Sequence, residues 1–149
     1  LAGILVVVAT NQPVVARGAL TESGLQIIHN KLDTLLGIDG AYIDRLYYCP
    51  HHQDRGFDGE VLELKTNCSC RKPKPGLLFQ AAEELNISLE DSWMVGDRTS
   101  DILAGESAGS HTILVNTGYG GNDRKYSVVP DFVVKNLTAA VDHVLQSAE

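Results

Sequence analysis

Cys49-Pro50-His51 and Cys68-Ser69-Cys70 flank a stretch of sixteen residues and account for all three cysteines of the chain. Three thiolates and one imidazole form a complete tetrahedral donor set for zinc, with no position left for water, so the chemistry they suggest is structural. The alternative is surface thiols and a loop histidine with no common partner, and His52 is the adjacent substitute for His51. Cys68 and Cys70 are too close in sequence for an ordinary structural disulfide. The insert between the two clusters contains Gly56, Gly59 and several charges. It would be a long structureless loop unless something tied it down, and zinc would do so.

Three further clusters carry polar chemistry. Gly96-Asp97-Arg98-Thr99-Ser100-Asp101 places two carboxylates four residues apart. Such a pair suits a hard, oxygen-ligated cation such as magnesium, although Asp101 can equally serve as a helix cap or dipole partner. Arg71-Lys72-Pro73-Lys74-Pro75-Gly76 concentrates cations beside the Cys68 and Cys70 pair. Lysine there can neutralise charge on a transferring phosphoryl group, while a solvated basic face is the plainer reading. Thr10-Asn11-Gln12 offers a hydroxyl and backbone amides that can hold phosphate oxygens, in a turn that is otherwise ordinary.

These clusters need elements to position them. Ile4 to Ala9 is a continuous apolar run of the kind found in parallel strands buried on both faces. A helix is expected from the N-cap Thr21, with Leu25, Ile28, Leu32 and Leu35 at helical spacing and Gly37 as its stop. Ala41 to Tyr48 reads as the next strand. Pro75 opens a second helix with Leu78, Ala81, Ala82 and Leu85 inward. A short strand at Ser92 to Val95 runs into Gly96-Asp97, and a helix follows over Ser100 to Ala108. Strands at His111 to Val115 and Phe132 to Val134 and a helix over Leu137 to Leu145 complete the alternation. This rhythm predicts an α/β fold, a three-layer sandwich around a mainly parallel, Rossmann-like sheet. Ligands of such sheets gather beyond the carboxyl ends of the strands, where the polar clusters fall.

At 149 residues one domain spanning 1–149 is expected. The formal net charge of −7 excludes the broad positive field of a nucleic-acid binder. An anionic ligand must therefore meet a local cluster: Arg71, Lys72 and Lys74, with Arg98 and Arg17 elsewhere. No apolar run is long enough to cross a bilayer. A cytoplasmic setting without membrane or nucleic-acid partners is the expectation, and the cysteine pattern suits a reduced compartment holding a metal.

Taken in order, the clusters resemble the haloacid-dehalogenase superfamily. The strand ending in Thr10-Asn11 is similar to its second motif, Lys72 to its third, and Gly96-Asp97 with Asp101 to its fourth. Cys49-Pro50-His51 with Cys68 to Pro73 resembles the zinc-bearing branch that contains the heptose-bisphosphate and histidinol-phosphate phosphatases. The resemblance implies a magnesium-dependent phosphomonoesterase that works through an aspartyl-phosphate on a phosphorylated sugar, or alternatively on histidinol phosphate. It further implies Asp97 as magnesium ligand, Cys49, His51, Cys68 and Cys70 as zinc ligands, and Thr10 and Lys72 as stabilisers of the transferring group. Asn11, Gln12, Arg71 and Arg98 would face the rest of the substrate. Asp101 would support Lys72 or a metal-bound water.

One departure stands out. The family's first motif, an Asp-x-Asp pair on an earlier, central strand, supplies nucleophile and general acid, and no such pair precedes Ile4. The expectation is a chain truncated at its start, monomeric or part of a longer fused polypeptide, inactive alone and with a cleft where that strand belongs. The competing expectation is a zinc-stabilised module that binds phosphate without catalysis.

Overall fold

The computed structural model describes residues 3–147. They divide into two compact units, one from Gly3 to Arg71 and one from Lys72 onward. The fold is α/β with parallel pairing throughout, as the alternation predicts, but the strands form two ladders, β1-β2 and β3-β4-β5.

In the first unit, β1 (Val7–Asn11) pairs in parallel with β2 (Arg45–Cys49), from Val7 opposite Arg45 to Asn11 opposite Cys49. The strand thus begins later than the apolar run suggests and continues through Thr10 and Asn11. Ile4, Leu5 and Val6 precede Val7, the first paired residue of β1, and remain 43%, 49% and 51% exposed. A single helical turn, α1 (Pro13–Ala16), follows with proline in its first position, where a missing N–H costs nothing. α2 (Glu22–Ile38) is capped by Thr21, whose hydroxyl accepts from the Gly24 amide at 3.0 Å. It passes through Gly37 rather than stopping there. Of its regularly spaced apolar residues only Leu25 is buried, whereas Ile28 and Leu35 are 54% and 48% exposed.

The second unit is built on β3 (Trp93–Gly96), β4 (His111–Val115) and β5 (Phe132–Val134), with β4 central. α3 (Gly76–Leu85) buries Leu77, Leu78 and Ala81, a face rotated slightly from the expected one. α4 (Thr99–Ala108) ends at Gly109, whose φ of +79° suits a left-handed cap. Successive side chains of a strand point to opposite faces. On one face Met94 and Thr112 meet α4, so closely that a Cβ on Gly105 would lie 2.6 Å from the Met94 Cβ. On the other, Ile113 and Val115 pack with Ala140 and Val144 of α5 (Leu137–Ser147). Helices on both faces make this unit a three-layer sandwich. Among the described residues no helix is long and apolar enough to cross a membrane.

Candidate active site and metal centre

In the first unit, β2 delivers Cys49 at its carboxyl end, fully buried. The chain turns at Pro50, presents His51, and returns after the insert with Cys68 and Cys70. Cys49 Sγ lies 3.5 Å from Cys68 Sγ, 3.0 Å from Cys70 Sγ and 3.6 Å from His51 Nδ1, and His51 Nδ1 lies 3.4 Å from Cys70 Sγ. None of the three cysteines forms a disulfide, and the four ligand atoms fall within 4.8 Å of one another. Metal–sulfur bonds of about 2.3 Å give tetrahedral edges of roughly 3.8 Å, so the donors fit one four-coordinate ion. Burial pushes the Cys49 and Cys70 thiols up. Burial acts the same way on Cys68, but hydrogen bonds from Cys70 and the Arg71 amide outweigh it and hold that thiol below its ordinary range. A group of thiols, one buried and two partly buried, with one already biased toward the anion suits a cation that deprotonates the rest.

His52 stands outside the cluster. Its Nε2 lies 2.8 Å from Arg17 Nη2 and its ring packs edge-on to Phe57. Burial, followed by the Arg17 and Arg71 charges, lowers its pKa, so the ring is neutral and its Nε2 accepts from the guanidinium. Arg17 also lies over the Phe57 ring at 4.9 Å, with Lys65 at 4.7 Å. These contacts pin the insert against α1, and the Val61 amide adds a bond to the Ala16 carbonyl at 3.0 Å. A 3-10 turn over Leu62–Leu64 gives the insert structure that its composition does not advertise.

The polar end of β1 is tied to the same region. The Gln12 amide donates to the Cys49 carbonyl at 2.8 Å, and Gln12 Nε2 donates to Thr10 Oγ1 at 3.2 Å. Thr10 Oγ1 can accept that bond and still direct its own hydrogen outward. Arg71 Nη1 donates to the His51 carbonyl at 3.1 Å, which fixes the guanidinium to the cysteine cluster.

In the second unit, Gly96 ends β3 and Asp97 and Arg98 form the turn into α4. Lys72 Nζ approaches Asp101 Oδ1 at 2.7 Å, and the Arg98 amide donates to Asp101 Oδ2 at 3.1 Å. Asp101 therefore caps α4 and holds Lys72 at once. A Cβ on Gly96 would lie 2.6 Å from Asp101 Oδ2, so glycine leaves the room this carboxylate occupies. Asp97 receives the Tyr119 amide on Oδ2 at 2.8 Å, and its carbonyl receives the Gly121 amide at 2.8 Å. The Arg98 guanidinium lies 3.7 Å from the centre of the Tyr119 ring, a stacked cation on an aromatic face. Asp123 accepts from the Thr99 amide at 2.9 Å and the Thr99 hydroxyl at 2.6 Å.

The loop after β4, containing Gly118, Tyr119, Gly121 and Asp123, thus wraps the Asp97 turn. The residue types in that loop gave no sign of it. The glycine-rich stretch after the next strand is the only available signal. Among the described residues Asp97 belongs to no group of three or more carboxylates, imidazoles or thiols placed to hold a metal. One carboxylate on a tight strand-to-helix turn is a donor set magnesium accepts, since it retains waters and takes further oxygens from a phosphate.

Residues 69–140 match the HAD-hydrolase-like family model. A D-glycero-β-D-manno-heptose-1,7-bisphosphate 7-phosphatase of Pasteurella multocida is 44% identical over 117 residues, covering 78% of this chain and 61% of that protein. One of the same description from Pseudomonas putida is 40% identical over 140 residues, covering 94% of this chain and 74% of that protein. The crystal structure of D,D-heptose 1,7-bisphosphate phosphatase from B. bronchiseptica, complexed with magnesium and phosphate, superposes with a TM-score of 0.80 at 33% identity. It covers 96% of this chain and 75% of that one. The chain spans about three fifths of the length of the first curated relatives it matches. The chain belongs to the haloacid-dehalogenase-like hydrolase family, and within it to the heptose-bisphosphate phosphatase family.

Proposed function

We propose that this chain serves a phosphatase that removes the 7-phosphate of D-glycero-D-manno-heptose 1,7-bisphosphate in the cytoplasm, on the way to an activated heptose for a surface glycan. The observation that carries the reading is the Lys72–Asp101 pair at 2.7 Å beside the Asp97 turn, immediately after a Cys₃His cluster. The relatives' names supply the substrate class. Both units would contribute to one phosphatase domain.

Asp97 would hold magnesium, which when bound supplies positive charge for phosphate oxygens. Lys72, oriented by Asp101, would neutralise charge developing on the transferring phosphoryl group. Thr10 would donate its hydroxyl to phosphate oxygens, and Asn11 and Gln12 would face the sugar. Arg71 and Arg98 would recognise the remainder of the substrate, each already fixed in direction by His51 and Tyr119 respectively. Cys49, His51, Cys68 and Cys70 would hold structural zinc.

The test is phosphate release by the full-length gene product from heptose 1,7-bisphosphate with magnesium, compared with its Lys72→Met variant. The expected result is release from the 7-position that the variant loses by on the order of a hundredfold or more. Release no greater than from the variant removes the reading and favours a module that binds phosphate without turning it over.

A further inference from the structure

The loop after β4 holds one oxygen of Asp97 and leaves the other. The Tyr119 amide donates to Oδ2 at 2.8 Å, and the Gly121 amide fixes the Asp97 carbonyl at 2.8 Å. Gly118 backs directly onto the same oxygen: a Cβ there would lie 2.3 Å from Oδ2 and 3.0 Å from Cγ. Its φ of +66° is a conformation that side chains of L-residues rarely adopt. Oδ2 is therefore enclosed by peptide, while no partner for Oδ1 is found among the described residues.

A carboxylate held this way offers a cation Oδ1 more readily than Oδ2, which already accepts an amide and has the Gly118 backbone against it. Magnesium is small, demands near-octahedral geometry and binds carboxylates singly, whereas calcium is larger and readily takes both oxygens of one carboxylate. We propose that Gly118 and the Tyr119 amide are positioning residues that keep Asp97 a one-oxygen ligand and so make the site discriminate against calcium. This rests on the reading of Asp97 as a metal ligand, and it adds a residue pair and a selectivity that this reading does not contain. A methyl at position 118 would meet Asp97 Oδ2 at 2.3 Å, so the loop and the carboxylate must move apart. Oδ2 is then freed and can join Oδ1 on a larger ion.

The test is equilibrium displacement of bound Mn²⁺ by Mg²⁺ and by Ca²⁺, followed by electron paramagnetic resonance on the full-length gene product with inorganic phosphate present. Asp97→Asn serves to identify the site, and Gly118→Ala is the test variant. A second variant replaces Tyr119 by its α-hydroxy analogue, which turns the amide into an ester and deletes only the N–H. The expected result is Mn²⁺ binding lost in Asp97→Asn, and a preference for Mg²⁺ over Ca²⁺ that narrows by on the order of tenfold in both loop variants. If Gly118→Ala does not fold, the ester variant decides alone. Mn²⁺ binding that survives Asp97→Asn overturns the metal reading and this inference together. Binding lost in Asp97→Asn with an unchanged preference in the loop variants overturns the inference alone.

Discussion

Lys72 Nζ and Asp101 Oδ1 stand 2.7 Å apart with only 10% and 9% of their side chains exposed. Little water reaches either charge, so each depends on the other more than a surface pair would. Removing one partner from such a pair typically costs about 3–5 kcal/mol, because a buried charge loses its compensation. Asp101→Asn should lower the stability of the second unit by that order in urea unfolding. Asp101→Leu combined with Lys72→Met should recover much of the loss. A double variant no more stable than Asp101→Asn would show that Asp101 acts chiefly as the cap of α4, through the Arg98 amide.

The Cys49, His51, Cys68 and Cys70 cluster makes a separate prediction. The purified protein should contain about one zinc per chain, and Cys68→Ser or Cys70→Ser should abolish it. Because the cluster closes the insert at both ends, chelation should raise amide exchange between residues 50 and 70. Exchange in β4 and α5, where Ile113 and Ala140 are fully buried, should change little. Zinc-free protein with unaltered exchange in the insert would assign its order to the Arg17, His52 and Phe57 contacts instead.

Much of this was legible in the residue string, and the exceptions have common causes. β4 and β5 fall where their apolar residues and flanking turn residues place them, and α4 ends at Gly109 because a left-handed cap favours glycine. β1 starts later than its apolar run because a β-branched run shows propensity but not where its partner strand begins; Ile4 to Val6 lie before the ladder. α2 displays its apolar spacing openly, yet Ile28 and Leu35 are exposed, since periodicity names a face without supplying what covers it. The Arg17–His52 contact joins residues 35 apart, and the Asp97 clasp uses the backbone amide of Tyr119, which every non-proline residue possesses. Neither has a side-chain signature. Lys72 and Asp101 were each visible, and their contact at 2.7 Å is one of the two roles that the family resemblance implies for Asp101.

Asp123 sets a pH dependence. Burial pushes its carboxyl up, but hydrogen bonds from the Thr99 hydroxyl and amide outweigh this and hold it below the usual carboxylate range. A carboxyl depressed in the folded state contributes fully above its unfolded pKa of about 4 and loses that contribution as pH falls through the folded value. Asp123→Ala should therefore lower the midpoint of thermal unfolding at pH 7 by an amount that shrinks toward pH 3. At neutral pH a lost helix cap costs about 0.5–2 kcal/mol. A deficit that stays constant across this range would mean that the charge on Asp123 plays no part in capping α4.

Gly18 and Gly59 bring two stretches of backbone into contact with no side chain between them. A Cβ on Gly18 would lie 1.9 Å from the Gly59 carbonyl oxygen, and Gly18 has a φ of +74°. Alanine at 18 meets both penalties: a left-handed conformation costs about 1–2 kcal/mol for a residue with a Cβ, and the carbonyl it strikes is backbone that cannot rotate away. The insert must then lift from the segment after α1, carrying Phe57 off the Arg17 guanidinium. Gly18→Ala should destabilise the first unit by more than the conformational penalty alone and raise amide exchange at Val61, whose bond to the Ala16 carbonyl spans the same contact. Gly59 also has a positive φ, of +71°, but a Cβ there would come no closer than 4.0 Å to the Gly18 carbonyl. Gly59→Ala should accordingly show the conformational cost without the separation, and equal effects from the two variants would rule out close approach as the reason for glycine at 18.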